Sequence, residues 1–221
     1  MKTVKKTNKC ACGKTKDVNG NCDGSHTKRF MGYKIFTLMT IALITFFSIQ
    51  SFSLIEKETI DVSSAKIVWK AYKVTGSHEG TISLKSGELN FINDELIGGD
   101  FKVDMNSILC TDLSGDYKNQ LEGHLKSEDF FNSKNHPNST LTFTKVKSIN
   151  KNSYNIDAEI TIKGKKETIS FVISVYGNKA TGVLKIDRTK FDIKYGSGSF
   201  FAGLGDNLIY DEFDLIIDIN F

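Results

Sequence analysis

The chain has 221 residues, 39% of them hydrophobic and 11% aromatic, with a formal net charge of +3. That length allows one sizeable domain with attachments, and so small a charge gives no electrostatic case for nucleic acid as a partner. One proline against 18 glycines suits strands joined by tight turns, not a proline-rich linker protein.

Residues 1–30 open the chain with Cys10-Ala11-Cys12 and, after nine intervening residues, Cys22-Asp23-Gly24-Ser25-His26. Three cysteines and a histidine this close together, on a stretch too polar to use cysteine for packing, form a metal-ligand set. So few apolar side chains accompany them that the segment could not build a core without metal or a partner. The fourth cysteine, Cys110, has no neighbour to pair with. A disulfide scaffold is therefore not expected, and Cys110 is predicted to be a small buried apolar side chain.

The second segment, residues 31–55, contains an uncharged apolar run, Ile35 to Phe52. Its length sits at the lower limit for crossing a bilayer and exceeds the usual apolar run of a signal peptide. Residues 1–34 hold nine Lys and Arg against Asp17 and Asp23. That asymmetry predicts a cytoplasmic N-terminus and an exported remainder. Two readings stay open: an uncleaved anchor, or a signal removed near Ser48–Ser53. Met31 would also serve as a start.

From residue 56 to 221 the pattern changes to period two. Phe101, Val103 and Met105 alternate with Lys102, Asp104 and Asn106. Tyr154, Ile156, Ala158, Ile160 and Ile162 alternate with polar residues. Ile169, Phe171, Ile173 and Val175 follow, and Phe213, Leu215, Ile217, Ile219 and Phe221 close the chain. One apolar face per run predicts half-buried strands. Turns are expected at Lys85-Ser86-Gly87, Asn93-Asp94, Lys163-Gly164-Lys165 and Tyr176-Gly177-Asn178. No long helix separates the runs, so the sheet is expected to be antiparallel. One exception is Tyr117 to Phe131, where Tyr117, Leu121 and Leu125 at i, i+4, i+8 predict a short helix with its stripe against the sheet. The fold class is thus all-β: a closed antiparallel barrel of about eight strands with one helical excursion. A barrel of that size either fills itself with side chains or holds a ligand, and pattern alone leaves both open.

Several stretches resemble the YceI-like family. They are Gly99-Asp100-Phe101-Lys102-Val103-Asp104-Met105, His124-Leu125-Lys126-Ser127-Glu128-Asp129-Phe130-Phe131, His136-Pro137 before Leu141-Thr142-Phe143, Thr161-Ile162-Lys163-Gly164, and Ile186-Asp187-Arg188-Thr189-Lys190-Phe191. The resemblance spans residues 60–221. It implies a lipocalin-like barrel in the periplasm of the cell envelope, holding a polyisoprenoid or related long-chain lipid, in a family that includes homodimers. A lipid chain needs a continuous apolar lining with few polar anchors. By strand parity Phe101, Val103, Met105, Phe143, Ile160, Ile162, Phe171, Ile173, Leu184 and Ile186 supply one. The same residues could pack against each other as an ordinary core. Arg188 shares the parity of Leu184 and Ile186. It is expected at the interior or rim, paired with a ligand head group or with Asp187, Asp192 or another carboxylate.

Residues 10–26 resemble the CDGSH iron–sulfur family. That resemblance implies a [2Fe–2S] cluster, with Cys10 and Cys12 on one iron and Cys22 and His26 on the other. Neutral imidazole in place of thiolate raises a cluster's potential, and it is the ligand that protonation removes. Zinc on the same four ligands, or a leader upstream of Met31 with no metal, are the competing readings.

His78, His124 and His136 lie too far apart in sequence for a helical ligand pair, and no Gly-x-Ser-x-Gly elbow is present. Each is expected in a polar structural role. The sequence therefore predicts a non-catalytic lipid-binding barrel, exported and either tethered through residues 35–52 or released. Its alternatives are a membrane-anchored redox protein carrying an isoprenoid quinone, and a hydrolase acting on an isoprenoid or glycolipid.

Overall fold

The computed structural model describes residues 9, 11, 13, 15–21 and 56–221. Cys10, Cys12, Cys22, His26 and the apolar run 35–52 lie outside the described residues, and with them the iron–sulfur and membrane-segment expectations. By contacts the chain divides into Met1–Leu54 and Ile55–Phe221. In the first unit, Lys9 pairs with Asn21 in an isolated antiparallel bridge. Asp17 tightens the intervening turn by accepting from the backbone N–H groups of Asn19 and Asn21.

The second unit is built from nine strands and one helix. The strands are β1 Lys57–Asp61, β2 Ser64–Lys73, β3 Gly76–Ile92, β4 Glu95–Cys110, β5 Asn138–Asn150, β6 Ser153–Ile162, β7 Lys165–Tyr176, β8 Lys179–Asp187 and β9 Ile209–Asn220, with helix α1 at Gly115–Lys126. The sheet order is β1-β3-β2-β9-β8-β7-β6-β5-β4, and β4 pairs back onto β3. Strands β2 to β9 therefore close an eight-stranded antiparallel ring. β1 lies outside it, paired with Glu88–Ile92 of β3, beyond the segment of β3 that pairs with β2.

Local sequence explains the hairpins. Asn93 and Asp94 both adopt positive φ, 51° and 65°, which produces the turn whose twist matches its flanking strands. Lys163 and Gly164 do the same between β6 and β7. Lys85-Ser86-Gly87 is not a turn. It lies inside β3, where the pairing with β4 shifts register between Leu84 and Ser86. The glycine serves close approach there: a Cβ on Gly87 would meet the Phe101 ring at 2.7 Å. Gly80 is required for the same reason. A side chain there would collide with the Leu109 carbonyl oxygen and the Trp69 indole, which lies across β3 and donates from Nε1 to Leu109 O at 3.1 Å.

The two ends of the barrel differ. One end carries the tight β3–β4, β5–β6 and β7–β8 turns. The other carries the β2–β3 and β6–β7 turns together with α1, the 127–137 connection, and the long β8–β9 connection with its 3-10 turns at Arg188–Phe191 and Gly205–Asn207. α1 contains the whole predicted stripe but ends at Lys126, short of Phe131, and the stripe is only partly covered. Leu125 is buried and Leu121 half-buried, but Tyr117 is 75% exposed. Past the helix, the chain turns through hydrogen bonds from Phe131 N to Leu125 O and Ser133 N to Lys126 O. These set Phe130 and Phe131 against the barrel core.

Candidate functional site: an apolar cavity in the barrel

The interior is filled around the β3–β4 and β5–β6 turns and hollow elsewhere. Leu89 and Ile156 are 0% exposed, Phe91, Leu96 and Tyr154 are buried with them, and Phe91 stacks on Phe221 at 5.5 Å. From the α1 end, and along β7 to β9 as far as Ile173, Gly182 and Ile219, the inward side chains surround a cavity of about 140 Å³. An apolar hole of ~150 Å³ walled by Leu, Ile and Phe stays dry and accepts an apolar guest. Many inward side chains here, Phe101, Val103, Phe143, Phe213, Leu215 and Ile217 among them, are only half-buried. They face space instead of neighbours.

Strand alternation places the wall. Nine of the ten residues expected from parity line the cavity: Phe101, Val103, Met105, Phe143, Ile160, Ile162, Phe171, Ile173 and Leu184. Ile186 does not. It is fully buried in the same cluster as Phe191 and Ile193, because the 3-10 turn that follows folds the chain back and covers the end of β8. Phe101, Phe143 and Phe171 form a run of rings, with centroids 5.5 and 5.9 Å apart. Sequence reasoning did not select Ile67, Trp69 and Ala71 of β2, although their alternation with Val68, Lys70 and Tyr72 carried the signal. Phe130 and Phe131 close the wall from beyond α1, and no period marks them.

Thr140 and Tyr210 line the cavity at its exposed margin, and the buried polar liners are turned towards the protein. Ser139 Oγ donates to Thr161 O at 2.7 Å. Arg188 is 2% exposed. Its Nε donates to Tyr210 O, its Nη1 to Ile193 O and Tyr195 O, and its Nη2 to Ile209 O, all within 3.2 Å. Its counter-charge is Asp211, 3.5 Å away, not Asp187 or Asp192. Asp187 caps the 3-10 turn by accepting from Thr189, and Asp192 pairs with Lys165 and Lys194. Burial pulls the Arg188 pKa down against the opposing pull of Asp211 and Asp187, yet a guanidinium stays charged. At Asp211, burial pushes the carboxyl up. Hydrogen bonds from Ser197 and Ser199 and the charge of Arg188 outweigh it, and the pKa is lowered. The arginine thus ties β9 to the β8–β9 connection, and its donors are occupied by backbone.

The histidines are dispersed. His78 Nδ1 lies 2.9 Å from Asp112 Oδ2 at the barrel's surface. His124 contacts Tyr195 and Phe130 edge-on, and His136 lies near Gly164. Cys110 is fully buried as expected, but it is not purely apolar, because its thiol donates to Asp112 Oδ1 at 3.0 Å. Burial and the neighbouring carboxylate push that thiol up, so it is neutral and no nucleophile. None of the three histidines, nor Cys110, lines the cavity.

The model of the YceI-like domain matches residues 59–221. The chain belongs to the YceI-like family. Among solved structures, this YceI-like barrel is similar to Burkholderia cenocepacia BcnA, at 22% identity over 70% of this chain and 94% of that one, with a TM-score of 0.57. It also matches the Campylobacter jejuni YCEI protein, at 16% identity over 77% of this chain and 86% of that one, with a TM-score of 0.46. A third match is a polyisoprenoid binding domain from Saccharophagus degradans implicated in plant cell wall breakdown, at 12% identity over 72% of this chain and 95% of that one, with a TM-score of 0.49. No curated protein matches the chain. The BcnA likeness supports the closed antiparallel fold.

Proposed function

We propose that this YceI-like barrel is an exported, non-catalytic carrier that holds a polyisoprenoid or similar long-chain lipid in its cavity. The observation that carries this reading is a continuous wall of apolar side chains whose buried polar members, Ser139 and Arg188, spend their hydrogen bonds on the backbone. Such a lining offers an apolar chain contact and asks it for no hydrogen bond. It presents no nucleophile beside a base, which is what hydrolysis of a bound lipid would need. The cavity holds one segment of a long chain, and the remainder extends out past the rim.

Two lining positions separate a carrier from an ordinary core. Phe171→Leu keeps the wall apolar and changes volume modestly, so stability should fall by under about 1 kcal/mol while lipid selectivity shifts. Ala71→Phe fills the space and should abolish lipid uptake with the fold intact. Native mass spectrometry of the purified full chain reads both, as the lipid carried and the mature N-terminus. A wild-type protein that carries no lipid and takes up none would end this reading.

Export rests on the charge asymmetry of residues 1–34 ahead of the apolar run 35–52. Reporter fusions at the C-terminus test it. Activity of a reporter that works only in the cytoplasm would contradict it.

A further inference from the structure

Two exposed residues line the cavity, Thr140 and Tyr210, and they mark where it meets the surface. The surroundings of the two differ. Thr140 also lines an outer groove with Asp61, Glu88, Asp100 and Lys102, a charged setting hostile to a lipid tail. Tyr210 belongs to the start of β9, and the connection leading to it is uncharged from Tyr195 to Gly205 in a chain that is 25% charged overall. Every residue from Gly198 to Gly203 is exposed, and Phe200 and Phe201 are 48% and 50% exposed.

The loop is anchored to the cavity wall at its base. Ile209 N donates to Gly196 O at 2.8 Å, Ser199 Oγ donates to Asp211 Oδ2 at 2.6 Å, and Arg188 holds the Tyr195 carbonyl. Lys194 Nζ, paired with Asp192, lies 5.1 Å from the centre of the Phe200 ring. Projecting rings beside an ammonium suit a membrane interface, where rings enter the boundary region and the cation stays at the head groups. A chain lipid is insoluble in water, so a carrier must meet it at a bilayer.

We infer that the Gly198–Gly203 loop docks on a phospholipid bilayer through Phe200 and Phe201, bringing the Tyr210 side of the cavity to the surface from which the lipid is drawn. This rests on the lipid-carrier reading, and it adds a partner and an orientation. Docking and transfer involve no covalent step.

Trp69 is the one tryptophan of the chain and lines the cavity, so energy transfer from it to a pyrene-labelled hexadecanol reports occupancy. The test uses the full chain with phosphatidylcholine vesicles carrying that probe. The double variant Phe200→Ser, Phe201→Ser should load from vesicles about ten-fold more slowly and load from a detergent dispersion as the wild type does. Phe200→Tyr with Phe201→Tyr should keep the vesicle rate, read with excitation selective for tryptophan. In a Trp69→Phe background, a Phe201→Trp side chain should be quenched by brominated phosphatidylcholine. Vesicle loading of the serine variant at the wild-type rate, or absence of that quenching, overturns the inference. So does a change in oligomeric state with loading unaltered, which would assign the loop to a second copy of the chain. If the wild type takes up probe from neither source while the Phe201→Trp side chain is quenched, the carrier reading fails and the docking surface stands.

Discussion

The tight-turn half and the α1 half of this barrel are made from the same strands, with the same alternation and the same residue types, yet one is solid and the other hollow. In the solid half, Leu89, Ile156 and Ala180 have no exposed surface, and Phe221 at the chain's end stacks on Phe91. In the hollow half, equally apolar residues such as Phe213 and Leu215 remain half-buried behind the wall. What differs is the closure. At one end every connection between strands is a short turn, which draws side chains from several strands together. At the other, α1 and the β8–β9 connection cover the ring without filling it. Burial of apolar area favours both arrangements, but close packing adds dispersion contacts only where atoms meet.

This contrast should show first in Arg188, which holds the hollow end closed. Arg188→Met strips four backbone carbonyls of their donor and leaves Asp211 without its counter-charge. A loss of about 3–5 kcal/mol is expected from urea unfolding. A loss within error would mean that the connection closes the barrel without it.

Paired enlargements test the contrast directly. Ala158 is 0% exposed and does not line the cavity, whereas Ala71 lines it. Ala158→Phe should cost about 3 kcal/mol by overpacking, and Ala71→Phe should cost under about 1 kcal/mol because its ring enters empty space. Equal costs would show that the hollow does not exist in solution.

Acid should loosen the hollow end before the solid one. At Asp112, burial pushes the carboxyl up, but hydrogen bonds from Cys110 and His78 bring it below its ordinary value, and Asp211 is lowered as well. A carboxylate depressed in the folded state contributes stability that is complete above its unfolded pKa, about 3.9, and is lost as pH falls through the folded value. Hydrogen-exchange protection, corrected for the intrinsic rate at each pH, should therefore fall in α1 and residues 188–211 between pH 5 and 3 before it does at the β3–β4 hairpin. Simultaneous loss of protection at both ends would break the comparison.

Legibility followed the physics of each element. Strand parity was readable because side-chain direction alternates strictly, so nine inward residues from Phe101 to Leu184 could be named without coordinates. Asn93-Asp94 was readable because few residues accept positive φ. Gly87 misled, since a glycine that permits a ring to approach looks in sequence like one that permits a turn. Tyr117 misled because helical spacing continues past the surface that the helix can cover.

The residues of this chain determined by themselves that it forms an antiparallel barrel, and which face of most strands points inward, because period two and turn chemistry act over a few positions. Only the tertiary structure decided that the interior is hollow towards α1, that Ile186 packs while Leu184 lines space, that Arg188 pairs with Asp211, and that Phe130 and Phe131 seal the wall. Each of these depends on where distant segments meet, and whether apolar side chains touch one another or a void is set by the separation of the strands that carry them, which no single strand encodes.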